Sequence, residues 1–244
     1  MHYFLYGAFA LLLVQCSPKL NDNSADLTDR LERQFVKLAT TPGIQETALQ
    51  PNSVDQWRIR VQFPAATTPR PLVIALHWAG GDQTYREFAS CLAEPGLSDL
   101  NAIILTPDGE FETWDTNYNA QKVKRLLDLA IKYWNINTDK IIVMGYSNGG
   151  NGSWFFAEQY PNLIDYAIPV ASAYQPKRQL TVPLYVIHGE RDELFPVKRT
   201  AAWVQVARKM GTSLTWRVEP ELSHYQGCAY VAAVRQAAQW IQQQ

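Results

Sequence analysis

The feature that most constrains this chain is a series of short apolar runs separated by helical patterns. The runs Leu72 to Leu76, Ala102 to Leu105, Ile141 to Met144 and Leu184 to Ile187 are bounded by Gly, Pro or Asp. Their brevity and β-branched content predict strands covered on both faces. Ala167 to Val170 is a shorter run of the same kind, and Leu214 to Val218 reads as a last edge strand. Trp57-Arg58-Ile59-Arg60-Val61-Gln62-Phe63 alternates apolar and polar, the pattern of a half-exposed strand. Helical patterns cover about Tyr85 to Cys91, Gln121 to Trp134, Gly149 to Tyr160, Lys198 to Met210 and Gln226 to Ile241. Strands alternating with helices imply right-handed βαβ units, hence an α/β fold with a mostly parallel central sheet and helices on both faces. No linker-like stretch interrupts the series after Pro51, so residues 51–244 read as one domain.

The chain opens differently. Tyr3 to Val14 is apolar but shorter than the roughly 20 residues a spanning helix needs. It has the length of the apolar region of a secretory signal. Leu13-Val14-Gln15-Cys16 resembles a bacterial lipoprotein box, which implies acylation at Cys16. Residues 1–16 therefore read as a signal peptide of lipoprotein type, and residues 17–50 as a tether and amphipathic segment. Gln15 stands where a small residue is usual, and a plain signal peptide is the alternative. Either way the chain is expected to be exported to the bacterial cell envelope, periplasmic or membrane-anchored. Leu27, Leu31, Phe35 and Leu38 fall at helical spacing, so a short amphipathic helix should lie on the domain. With Cys16 set aside, Cys91 and Cys228 remain in a compartment where a disulfide persists. They read either as a bridge or as two buried free thiols.

Composition narrows the partners. With 22 Lys+Arg against 23 Asp+Glu, the formal charge is -1. Nucleic acid and anionic membrane both need clustered basic charge, so neither is expected beyond a lipid anchor at Cys16. No His, Cys and carboxylate cluster has metal-ligand spacing, and neither a metal nor an organic cofactor is expected.

The strongest motif is Asp139-Lys140-Ile141-Ile142-Val143-Met144-Gly145-Tyr146-Ser147-Asn148-Gly149-Gly150, a strand running into Gly-x-Ser-x-Gly and then a helix. That context places a nucleophilic Ser147 on a tight, strained turn with its hydroxyl above the sheet. An acid and a base should follow in that order. Asp192 lies in His188-Gly189-Glu190-Arg191-Asp192-Glu193, just after a strand, with Glu190 and Glu193 as competitors. His224 alone among the four His comes after the last strand. The oxyanion donors expected are the N–H of Asn148 and one from His77-Trp78-Ala79-Gly80-Gly81, with Ala79 preferred and Trp78 as second choice.

From Trp57 to Ile241 these residues resemble the α/β-hydrolase superfamily. Gly149-Gly150-Asn151-Gly152-Ser153-Trp154, with Ala157 and Tyr160-Pro161, looks like the feruloyl and acetyl-xylan esterase group and its polyhydroxybutyrate-depolymerase-like relatives. His188-Gly189-x-x-Asp192 with Phe195-Pro196 resembles dienelactone-hydrolase-like proteins. Many relatives carry Gly after the first-loop His, where this chain has Trp78. Only Ala171 to Val182 fill the gap where a cap would be inserted, so no cap domain is expected and the site should be open. The long aromatic loop from Asp108 to Asn119 follows a strand at the end where such folds place ligands. Trp114 and Tyr118 from it, with Tyr174, are candidate substrate contacts, or else they pack the loops down. In this fold the helices carrying Cys91 and Cys228 cover one face of the sheet, where a bridge would tie down the loop carrying the base.

The resulting expectation is a monomeric serine carboxylic-ester hydrolase. It would work through a Ser-His-Asp triad and an acyl-enzyme on accessible small-molecule or polymer-linked esters. A serine peptidase on the same fold and a non-catalytic envelope binding lipoprotein are the alternatives.

Overall fold

The structure, a computed structural model, describes residues 24–65 and 67–244. The signal and lipidation readings on residues 1–16, Cys16 included, lie outside the described residues. The strands are β1 (Gly43–Leu49), β2 (Trp57–Phe63), β3 (Arg70–Leu76), β4 (Ile103–Pro107), β5 (Ile136–Tyr146), β6 (Tyr166–Val170), β7 (Leu184–Gly189) and β8 (Leu214–Glu219). They form one sheet in the order β1-β2-β4-β3-β5-β6-β7-β8. β2 pairs antiparallel with β1 and β4, and every other pairing is parallel. This is the mostly parallel, helix-flanked sheet of the α/β-hydrolase fold.

The period-two alternation of the strands divides the core. Leu72, Ile74 and Leu76 of β3, with Ile141 and Val143 of β5, face α1 (Ser24–Phe35), α4 (Asn117–Tyr133), α5 (Asn148–Gln159) and α6 (Val197–Lys209). Val73 and Ala75, with Ile142, Met144 and Tyr146, face α2 (Thr84–Phe88), the π turn Ala89–Ala93 and α7 (Val231–Gln242). Near that second layer, α3 (Glu94–Gly96) approaches α7 so closely that a Cβ on Gly96 would meet Val234 Cγ1 at 2.7 Å.

Two boundaries differ from the sequence reading. Residues 43–49 were assigned to the tether, yet they form β1, in register from Gly43 opposite Phe63 to Leu49 opposite Trp57. The strand is held mainly by backbone pairing to β2: Ile44 is 51% exposed, and within the strand only its last residue, Leu49, is buried. Apolar periodicity is therefore silent there, and the folded unit begins before residue 51. α1 belongs to it too, since Leu31 and Phe35 are buried and the Phe35 ring stacks on Trp134 at 4.8 Å. The second difference is at α4, which starts at Asn117, where the Thr116 hydroxyl accepts the Asn119 N–H. Tyr118 is thus on a helix, not in the loop.

Cys91 in the π turn and Cys228 in the 3-10 turn Gly227–Tyr230 form a disulfide, with Cα atoms 5.1 Å apart across a sequence separation of 137. Among the described residues, no helix is long and apolar enough to cross a membrane.

Candidate active site

β5 delivers Ser147 at φ 56 and ψ -114, a backbone region that a non-glycine residue adopts only under constraint. The constraint is the crossing of β5 and α5 against β3. A Cβ on Gly149 would sit 1.8 Å from Leu76 O, and one on Gly145 2.1 Å from Gly149 O. The Ser147 N–H donates to Val170 O at 2.9 Å, and Asn151 N–H donates back to Ser147 O at 2.9 Å. The turn is thereby fixed from both sides, with the hydroxyl above the strand ends.

His224 comes from the loop after β8. Its Nε2 is 2.9 Å from Ser147 Oγ, and its Nδ1 is 2.9 Å from Asp192 Oδ2. Asp192, on the loop after β7, also accepts the N–H groups of Leu194 at 3.0 Å and Phe195 at 2.6 Å through Oδ1. A carboxylate bound on one oxygen and facing Nδ1 with the other fixes the imidazole as the Nδ1–H tautomer. Nε2 is then free to accept the serine proton. The sequence left Glu190 and Glu193 as rival acids. Glu193 is near, but its carboxylate accepts the His224 backbone N–H at 2.9 Å, so it holds the loop rather than the ring. Tyr146 OH donates to His224 O at 2.7 Å and adds a second anchor. Burial pushes the Tyr146 phenol well above its ordinary value, so it remains a donor.

The hydroxyl opens into a cleft of about 590 Å³ lined by Trp78, Ala79, Tyr146, Leu194, His224 and Tyr225 among others. Asn148 opens α5, where first-turn N–H groups have no intrahelical partner. Among the described residues no backbone carbonyl accepts the Ala79 N–H either. Trp78, the second choice as donor, contributes a wall: its ring stands edge-on to Tyr146 at 5.7 Å and Phe88 at 5.5 Å.

The expected aromatic contacts are not in this cleft. Trp114 is 1% exposed, donates its indole N–H to His77 O at 2.9 Å and packs the loops down, with an edge on a separate depression beside Asn148. Tyr118 donates to Glu110 Oε1 at 3.3 Å, and burial raises its phenol to about 12. Tyr174 donates to Glu158 Oε2 at 2.6 Å and borders a separate depression of about 250 Å³ with Asn148 and Asn151. In each case the aromatic spends its polar end on an internal partner.

Residues 60–228 match the family model described as the dienelactone hydrolase family, well over half of the chain. The chain belongs to the dienelactone hydrolase family. It is 24% identical over 155 residues to the bifunctional acetylxylan esterase/xylanase XynS20E of Neocallimastix patriciarum, covering 60% of this chain and 23% of that protein. An uncharacterized secreted protein of Arthroderma benhamiae is 35% identical over 117 residues, covering 41% of this chain and 12% of its own length. The chain thus spans under a quarter of the length of either relative. A solved thermostable esterase superimposes with a TM-score of 0.68 at 21% identity, covering 82% of this chain and 62% of that one.

This dienelactone hydrolase family member also holds buried polar groups that the sequence reading passed over. His188 Nε2–H donates to Phe195 O at 2.7 Å and lies 3.4 Å from Asp192 Oδ2, bracing the acid's loop. Burial lowers its imidazole below the ordinary range, against the opposing pull of Phe195 O and Asp192. Lys122 is fully buried and donates to Asp108 O at 2.8 Å and Glu110 Oε1 at 3.0 Å. The signal was present: a lone His ending an apolar strand, and a Lys on the apolar face of a helix. Among the described residues, no group of three or more His, Cys, Asp or Glu could hold a metal ion.

Proposed function

We propose that the protein is a serine carboxylic-ester hydrolase that works through Ser147, His224 and Asp192. The relay of 2.9 Å contacts from Asp192 through His224 to a strained serine facing a cleft carries this reading. His224 takes the Ser147 proton as Oγ attacks the ester carbonyl, and Asp192 stabilises the imidazolium so formed. The N–H groups of Asn148 and Ala79 receive the oxyanion. Collapse expels the alcohol with the proton from His224. Water then attacks the acyl-enzyme through the same base and releases the acid.

Ser147→Ala should abolish hydrolysis of p-nitrophenyl acetate while leaving the protein folded. Retained turnover in that variant would overturn the reading. The matched amide p-nitroacetanilide should be cleaved far more slowly than the ester; comparable rates would favour a peptidase.

We further propose export, with Cys16 lipidated. The Cys91–Cys228 bridge supports an oxidising compartment, and one relative is described as secreted. Metabolic labelling with a radiolabelled fatty acid should be lost in Cys16→Ser; labelling that persists would rule the anchor out.

A further inference from the structure

The cleft beside Ser147 is walled largely by aromatic and aliphatic groups and carries one carboxylate. Trp78, Tyr146 and Tyr225 give it aromatic surface, and Leu194 gives it aliphatic surface. Glu87 of α2 adds a carboxylate, while among the described residues neither Lys nor Arg lines the cleft. Glu87 is exposed, and among the described residues its side chain has no ion-pair or hydrogen-bond partner; its bonds are made by the backbone, to Gln83 O and from Ser90 Oγ. The basic residues nearest in sequence are engaged elsewhere. Arg86 pairs with Glu46 at 2.8 Å, and Arg191 pairs with Glu221 at 2.5 Å.

Aromatic faces present the negative part of their quadrupole, so they attract cations as the carboxylate does. A cleft lined by a single sign of charge concentrates that field. A positively charged group entering here meets aromatic rings and a free carboxylate together. A negatively charged one meets repulsion from Glu87. We propose that this cleft selects esters carrying an amine or quaternary ammonium group near the scissile bond, with Glu87 as the residue that determines the preference. The proposal rests on the ester-hydrolase reading of the same site.

The test compares benzoylcholine with its neutral isostere 3,3-dimethylbutyl benzoate and with anionic 3-benzoyloxypropanoate, at low salt. In the wild type kcat/KM should favour the cationic over the neutral ester by on the order of tenfold, with the anionic ester slowest. Glu87→Gln should bring the cationic-to-neutral ratio close to one, and high salt should compress it in the wild type. Equal rates for the two esters in the wild type, or a ratio unchanged in Glu87→Gln, would overturn the proposal and leave the hydrolase reading intact. Binding gives a readout that needs no turnover: benzyltrimethylammonium should quench the tryptophan fluorescence of Ser147→Ala saturably, and more weakly once Glu87→Gln is added. Absence of both hydrolysis and this binding would sink the two readings together. Binding without hydrolysis would overturn the enzymatic reading and the ester preference with it, leaving a cation-binding cleft.

Discussion

His224 and His77 each sit beside an aspartate near the C-terminal ends of parallel strands, and only one of this pair is arranged to move a proton. His224 faces Asp192 at 2.9 Å through Nδ1 and turns Nε2 to the Ser147 hydroxyl, a group with a proton to give. His77, the first residue after β3, lies 3.6 Å from Asp108. Its Nδ1–H donates to Trp78 O at 2.6 Å, and its Nε2 accepts the Gly109 N–H at 2.7 Å. Both ring nitrogens are therefore spent on backbone, and the Arg58 guanidinium meets Asp108 at 2.6 Å. Burial works to raise the Asp108 carboxyl, yet it lies below its ordinary value, with the Glu110 N–H and the Arg58 guanidinium favouring the charged form. The His77 pair is a rivet between the loops after β3 and β4. An imidazole beside an acid becomes a base only when its second nitrogen is left for the substrate.

That contrast can be broken first at the reactive pair. Ser147→Ala and His224→Ala should each lower kcat for ester hydrolysis by about 10³-fold or more, and Asp192→Asn by a comparable factor, with little change in melting temperature. His77→Ala should do the reverse. It leaves the buried Gly109 N–H without an acceptor and should destabilise the fold by about 2–3 kcal/mol in urea titration, while kcat falls less than tenfold. A His77 variant as inactive as the His224 one would erase the distinction.

A finer test uses pH. The ordinary value for His188 is 6.5, and burial lowers it in the fold. As pH falls through that value the unfolded chain takes up a proton that the folded chain refuses, so stability drops with acidification. Urea midpoints measured downward from neutral pH should decline, and the decline should be shallower in His188→Gln. A midpoint equally steep in both proteins would remove His188 as the cause. The smallest effect concerns Trp114. Trp114→Phe loses the bond to His77 O and should cost about 1–2 kcal/mol, with KM for nitrophenyl esters unchanged within about twofold. A large rise in KM would restore Trp114 as a substrate contact.

The same contrast explains what the sequence could and could not convey. The buried strands, the elbow and the chain order of Ser147, Asp192 and His224 are legible because each rests on local signals: apolar runs, glycines that backbone crossing demands, and strand ends. β1 is not legible, since an edge strand held by backbone pairing carries no apolar period. Nor are the roles of the aromatics. Trp78 and Trp114 both follow strands in polar loops, yet one walls the cleft and the other is sealed beneath it. Which ring finds an internal acceptor for its N–H depends on the packing of two loops far apart in sequence. The partners of His77 and His188 are hidden for the same reason.

The most direct test of the central claim is peptide mapping by mass spectrometry after brief exposure to a fluorophosphonate. The arrangement predicts one adduct, on Ser147, formed rapidly in the wild type and in His77→Ala, and at least about 100-fold more slowly in His224→Ala. An adduct on another residue, none on folded wild-type protein, or equal labelling of the His224 and His77 variants would contradict it.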